Sequence, residues 1–429
     1  MPTLNQIADR LRSDEGRLAL SRLYGGAPEV LDEQTARYLN LLERFSAIFP
    51  DHQHAELFSS PGRTEVGGNH TDHNAGRILA AAVDLDIIAV VARNNSDVIR
   101  VQSEGYPISV VKLSELAAVE GERYTATSLI RGVCSRFQQL GLATGGFDAV
   151  ATSRVPKGSG LSSSAAYEVL ISVITNTLFN QGKIGNVQLA QISQYAENQY
   201  FGKPCGLMDQ TTCAVGGFVT IDFKDFKQPQ VKKVDYDFSA SGYSLVIVDT
   251  AGDHADLNDE YEALEHEMKS VARALGGQVL REFSEEEVIN KLDFLRGKVS
   301  DRAILRAVHF YRDDRRVVEQ VEALENNDFI RFLQLIIDSG ESSWMLCQNC
   351  YSTKAIHKQG ITIALTASEA LLKGRGAWRM HGGGFAGTIQ AFIPDDLLSI
   401  YIDKTERVFG KGSCHTVRIR PDGATHIEI

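Results

Sequence analysis

Through the first fifty residues, apolar side chains recur every three or four positions. Tyr38, Leu41, Leu42, Phe45 and Ile48 form one stripe that stops at Pro50. That spacing predicts helix. The pattern then dissolves into a polar, Gly-rich stretch, residues 60–76, which reads as a loop. Residues 78–93 run almost unbroken through Ala, Val and Ile, as one or two buried strands would. Residues 146–155 read as another strand, broken by Pro156 and a Gly-Ser cluster. Helical spacing returns over 165–179 and again over 186–200.

A polar stretch, residues 224–237, contains Pro229 and precedes a strand at 243–249. It suggests a division into domains at 1–230 and 231–429. The second half predicts helices at 257–274 and 303–337, then a strand, a turn at Gly382 to Gly384, and a second strand. A helix at 395–409 and two short strands close the chain. Strands and helices mix without the strict alternation of a doubly wound sheet, so an α+β protein of two domains is expected. No repeat of solenoid period and no low-complexity tract interrupts this picture.

Composition narrows the function. With 429 residues the chain exceeds one ordinary domain. Its 43% hydrophobic and 23% charged residues are those of a globular protein. A net charge of −11 with no basic cluster excludes a binder of nucleic-acid backbone. No run approaches the roughly 18 apolar residues of a membrane span. The opening residues, with Asp9 and Arg10, lack the apolar core of a secretion signal. Cys134, Cys205, Cys213, Cys347, Cys350 and Cys414 are too sparse for a disulfide scaffold. Reduced thiols and a cytoplasmic location are expected. Cys347 and Cys350 form a single C-x-x-C without the second pair that a zinc site needs.

Three segments carry candidate chemistry. The first is Pro156-Lys-Gly-Ser-Gly-Leu-Ser-Ser-Ser-Ala-Ala166, between an expected strand and an expected helix. Its glycines allow close approach to an anion, and a following helix start offers N–H groups to phosphate. The serine hydroxyls can take phosphate oxygens or Mg²⁺. A plain loop with a serine helix cap fits equally well. Walker A, protein-kinase and dinucleotide signatures are all absent. The second segment, residues 60–76, gathers Arg63, Glu65, Asn69, His70, Asp72, His73 and Asn74. Such density suits a sugar with many donors and acceptors, or an exposed Asx-rich turn. The third is Gly382-Gly-Gly-Phe-Ala-Gly387, either a tight turn or backbone laid against a nucleotide.

The order of these segments resembles that of the GHMP small-molecule kinases, and within them the galactokinase branch. Gly62-Arg63 with Gly68-x-His70-Thr71-Asp72-x-Asn74-x-Gly76 resembles the galactokinase signature. Gly160-Leu-Ser-Ser-Ser-Ala165 resembles the phosphate loop, and Cys205-Gly-Leu-Met-Asp-Gln210 the catalytic loop. The resemblance, from about residue 58 onward, implies a ribosomal-S5-like N-terminal domain and a ferredoxin-like C-terminal domain with the active site between them. It implies Asp209 and Arg63 as catalytic residues. Asn69, His70, Asp72, Gly206 and Tyr261 are implied as sugar contacts. Lys157, Gly158, Ser159, Gly160, Leu161, Ser162, Ser163 and Ser164 would hold ATP, and Ser164 with Glu197 would hold Mg²⁺. The implied reaction is phosphorylation of the anomeric hydroxyl of galactose, giving galactose 1-phosphate and ADP. The implied partners are a small sugar and Mg-ATP, with a monomer or small homo-oligomer as the assembly.

Several positions depart from the family pattern. Asn69 stands where Glu is usual, His73 where Tyr is, and Thr64-Glu65 where Val-Asn is. In the third segment His381 and Ala386 replace Thr and Gly, and residues 343–354 lack a Y-E-V-S-C-like stretch. These changes leave the phosphoryl-transfer residues intact and bear on the sugar. Alternatives are therefore a kinase for N-acetylgalactosamine, arabinose or a uronic acid, a non-catalytic sugar and ATP sensor, and a metal-dependent hydrolase built on His70, Asp72 and His73.

Overall fold

The computed structural model describes residues 2–156, 160–252 and 257–429. Three helices open the chain: α1 (Leu4–Arg12), α2 (Asp14–Tyr24) and α3 (Pro28–Ile48). The first strands are β1 (Glu56–Gly67), β2 (Arg77–Arg93), β3 (Val98–Ser103) and β4 (Ser109–Lys112). They are followed by α4 (Ala126–Gln139), β5 (Phe147–Ser153), α5 (Ser163–Asn180), α6 (Asn186–Ala196) and α7 (Met208–Val215). Next come β6 (Phe218–Asp222), β7 (Gln230–Val234) and β8 (Tyr243–Asp249). Five helices succeed them: α8 (Asn258–Leu275), α9 (Glu285–Asn290), α10 (Leu292–Arg296), α11 (Asp301–Glu325) and α12 (Phe329–Ser342). The chain ends through α13 (Gly360–Leu372), β9 (Ala377–His381), β10 (Thr388–Pro394), α14 (Leu398–Phe409), β11 (Cys414–Val417) and β12 (Thr425–Ile427).

One eight-stranded sheet runs β12-β1-β2-β5-β3-β4, with β6 and β7 attached through β2. The apolar run read as one or two strands is a single strand, β2. Its first half pairs with β6 and its second half with β5, while β1 lies along its other edge. Helices cover both faces of it. α4–α7 pack on one side, and α1–α3 seal the other with Leu20, Tyr38, Leu41 and Phe45 against Ile88 and Val90. A strand covered twice needs no polar alternation, which explains its composition. Asp86 of β2 accepts hydrogen bonds from Tyr24 and Arg37 of this helical cap, from Ser59, and from Arg420.

The second sheet, β11-β8-β10-β9, is antiparallel and backed by α13 and α14. Four expectations shift. Residues 60–67 are strand rather than loop, because β1 finds β2 as a partner. The division at 230/231 also cuts through β7, which pairs with β6 in the first sheet, and β12 returns from the end of the chain to pair with β1. The second sheet begins only at β8. The expected helix at 303–337 is two, split by the turn at residues 326–328, and the helix at 186–200 gives way at Glu197 to a single π turn, Glu197–Phe201.

Candidate active site

β1 delivers Arg63 at a bulge, where the register against β2 shifts between Pro61 and Arg63. Its Nε donates to Asp209 Oδ1 at 2.6 Å, and Nη1 donates to the Gly160 carbonyl. Asp209 stands in the first turn of α7, and its second oxygen accepts from the Ser162 hydroxyl. Burial alone would raise this carboxyl. The charge and hydrogen bond of Arg63, and the Ser162 hydroxyl, outweigh it and hold Asp209 below its ordinary value. The carboxylate stays ionised and remains about a quarter exposed.

Ser162 caps α5 with φ of +57°, a left-handed conformation uncommon for a residue with a side chain. That geometry turns its hydroxyl toward Asp209 rather than into the helix, which lacks a side-chain cap there. Gly160 carries φ of +72°. A Cβ on it would lie 3.1 Å from His381 Nδ1, so glycine meets both the backbone conformation and the close approach of β9. Leu161 points into the core, and its carbonyl accepts the Arg63 N–H at 3.1 Å. Ser163 and Ser164 begin α5. Lys157, Gly158 and Ser159 lie outside the described residues.

In the first turn of α5, the Ser164 hydroxyl donates to Glu197 Oε1 at 2.9 Å. The other Glu197 oxygen accepts from Gln210 at 2.8 Å and from the Cys205 thiol at 3.3 Å. Gln210 also donates to Glu168 at 2.8 Å. Burial and the adjacent Glu197 push the Glu168 carboxyl well up. A hydroxyl and a carboxylate meeting at the N-terminus of α5 suit Mg²⁺, which prefers few protein oxygens and fills its shell from water and phosphate. Glu168 escaped the sequence reading, and Gln210, the last residue of the catalytic-loop motif, was given no role in it. The only signal for Gln210 was its place beside Asp209.

The polar loop after β1 is gripped at both ends by the second half of the chain. Asn69 N–H donates to Asp313 at 2.8 Å, and the Asn69 carbonyl accepts from His309 at 2.9 Å. At the other end Asn74 accepts from the Leu280 N–H, and Asp314 accepts from the Arg77 N–H and side chain. Between these anchors, Asp72 Oδ2 rests against Gly206, where a Cβ would meet it at 2.6 Å. Burial works against the Asp72 charge, but neighbouring His73 keeps its carboxyl below the ordinary value. His70 adopts φ of +57° and donates Nε2–H to the Gly383 carbonyl at 2.9 Å. Burial and His73 push His70 down to about 4, so it is neutral at physiological pH.

Asn69 does not face the cleft expected of a sugar contact. It is fully buried, and its amide donates to Glu65 at 3.0 Å and to the Gly382 carbonyl at 2.9 Å. Its oxygen accepts from Asn349 at 2.9 Å and Ser343 at 3.4 Å. All four hydrogen-bonding positions of the side chain are taken. Glu65 in turn pairs with the buried Arg379 at 3.0 Å. Tyr261, expected at the sugar, donates to the Gly384 carbonyl at 3.0 Å and stands edge-on to Phe385. The third segment therefore works as a backbone anchor for His70, Asn69 and Tyr261. Among the described residues, no group of three His, Cys, Asp or Glu side chains is placed to hold a metal ion.

Known proteins resemble this chain in sequence and fold. Residues 128–217 match the model of the GHMP kinases N terminal domain, and residues 43–93 that of the galactokinase galactose-binding signature. A galactokinase of Actinobacillus pleuropneumoniae serotype 5b is 30% identical over 351 residues, covering 80% of this chain and 86% of that enzyme. The chain belongs to the galactokinase family of GHMP kinases. A galactokinase of Streptomyces coelicolor is also 30% identical, over 81% of this chain and 86% of its own length. Lactococcus lactis galactokinase, solved with galactose, shares the fold with a TM-score of 0.76 at 24% identity, over 89% of this chain and 98% of that one. A Methanococcus jannaschii mevalonate kinase matches at 0.59 and 13% identity, over 85% and 98%. This galactokinase-family chain has six free cysteines, Cys347 and Cys350 among them. None of its described helices is long and apolar enough to cross a membrane.

Proposed function

We propose that this chain transfers the γ-phosphoryl group of ATP to the anomeric hydroxyl of galactose, releasing galactose 1-phosphate and ADP. The observation carrying this reading is the contact of Arg63 and Ser162 with Asp209, which joins the phosphate loop to the catalytic loop. Asp209 accepts the hydroxyl proton, the sugar oxygen bonds to the γ-phosphorus, and the bond to the ADP oxygen breaks. The transition state is loose and charge-dispersed, so positioning and positive charge count most. Arg63 supplies both, since it keeps Asp209 ionised and lies beside the phosphate loop. Ser164 and Glu197 would hold Mg²⁺, which neutralises phosphate charge when bound. His70, Asp72 and the Gly206 backbone are the groups left to bind the sugar.

The seclusion of Asn69 favours one second reading: the same chemistry on another sugar, such as N-acetylgalactosamine, arabinose or a uronic acid. Purified protein with Mg-ATP and a panel of free sugars, followed by ADP release, separates the two. Galactose should give the highest kcat/KM. A different sugar preferred by tenfold or more selects the second reading, and ADP release with no sugar at all overturns both.

A further inference from the structure

His381 closes β9 and is buried, yet both of its ring nitrogens are engaged by groups from different parts of the chain. Nε2 meets the Thr64 hydroxyl at 3.0 Å, and Nδ1 meets the Thr388 hydroxyl at 2.9 Å. Thr64 also donates to Gln390 Oε1 at 3.3 Å. Its single proton is thereby used, so Nε2–H donates to Thr64 and Nδ1 accepts from Thr388. The imidazole is neutral, because burial and the cations Arg63 and Arg379 push it down to about 3.

Two features place this histidine behind the reaction centre. Thr64 directly follows Arg63 on β1, past the bulge that aims the guanidinium at Asp209. The ring also backs Gly160, the residue whose carbonyl Arg63 holds. His381 thus touches the strand on one side of Arg63 and the phosphate-loop turn on the other. Its ring nitrogens bond to Thr64 and Thr388.

We propose that His381, acting through Thr64 and against Gly160, is a positioning residue that sets the reach of Arg63 between Asp209 and the phosphate loop. The proposal rests on the phosphoryl-transfer reading above. Thr64 and His381 are two of the positions at which this chain departs from the family pattern, and they touch each other.

The test compares His381→Thr, His381→Gln, Thr64→Val and the double variant Thr64→Val/His381→Thr for kcat, both KM values and unfolding temperature. An Arg63 displaced by a fraction of an ångström should lower kcat about tenfold or more in His381→Thr. KM for sugar should stay within about threefold, because His381 packs on the Arg63 strand and the phosphate-loop turn rather than on the sugar groups. Gln keeps a donor near the Nε2 position and should recover kcat to within about threefold of the parent. The double variant should be no worse than either single change, as expected of two residues acting through one contact. Unchanged kcat in His381→Thr overturns the proposal. So does a His381→Gln variant no better than His381→Thr, with kcat tracking unfolding temperature in both. A crystal structure of His381→Thr in which Arg63 keeps its contacts with Asp209 and Gly160 also overturns it, whether or not any sugar is turned over. A parent protein that releases no ADP counts instead against the phosphoryl-transfer reading.

Discussion

Asn69 offers the sharpest test of the loop that follows β1. Replacing it with Glu brings back the residue type usual at this place in the family, and exposed loop chemistry would tolerate the change. The structure predicts otherwise. The amide donates to Glu65 and to Gly382, and a carboxylate can do neither. Each lost bond costs about 1 kcal/mol net, more where the acceptor is left buried and alone. The new charge would lie about 4 Å from Glu65, a repulsion of roughly 4 kcal/mol at an effective dielectric of about 20. Arg379 already serves Glu65 and offsets only part of this. A net loss of about 4–6 kcal/mol follows, which should lower the first thermal transition by about ten degrees or more. Buried like charges relieve themselves by taking up a proton, so the deficit should shrink as pH falls toward 5. The exchange Glu65→Asn/Asn69→Glu keeps one carboxylate and one amide beside Arg379. It should recover at least half of the loss, a coupling that a double-mutant cycle reads directly. Thermal and urea unfolding of the four proteins measure it. If Asn69→Glu unfolds within a degree or two of the parent, or if the exchange fares no better than the single change, residue 69 is not sealed as described.

Four further outcomes are expected. Asp209→Asn should keep the fold and ATP binding while turnover drops by at least about a hundredfold, and near-normal turnover would remove Asp209 as base. Glu197→Ala strips Ser164, Cys205 and Gln210 of a shared acceptor. A Mg²⁺ titration should then shift its half-saturation upward by about tenfold, following the measured cost of losing one metal-site group. His381 binds a proton more weakly folded, at about 3, than at its ordinary value of 6.5. The unfolded chain therefore binds the extra proton first, and stability falls as pH drops below 6.5. The loss is about 2 kcal/mol between pH 6.5 and 5, and denaturant unfolding of His381→Gln should show a flatter profile. Arg37→Ala removes one of the two arginines on the buried Asp86. It should cost about 3 kcal/mol in unfolding free energy with kcat kept, and an equal loss of kcat would extend the helical cap's role into the active site.

Local order along the chain already dictated a great deal. Helical spacing in α3 and α5, the apolar run of β2, and the punctuation by Pro156 and the glycines are short-range properties, so the elements follow from them. The motifs around Arg63, Ser162 and Asp209 were legible through their resemblance to the GHMP kinases, since the glycines and serines alone left a plain loop equally open. What lay beyond reach depended on contacts between distant segments. Residues 60–67 became strand because β2 supplied their hydrogen bonds, and β12 joined the first sheet from the far end of the chain. Asn69 looked like a ligand among polar neighbours until Asn349, Ser343 and Gly382 arrived from roughly three hundred residues away. Polarity in a sequence states that a group needs partners. Only the packed structure decides whether those partners are substrate or protein.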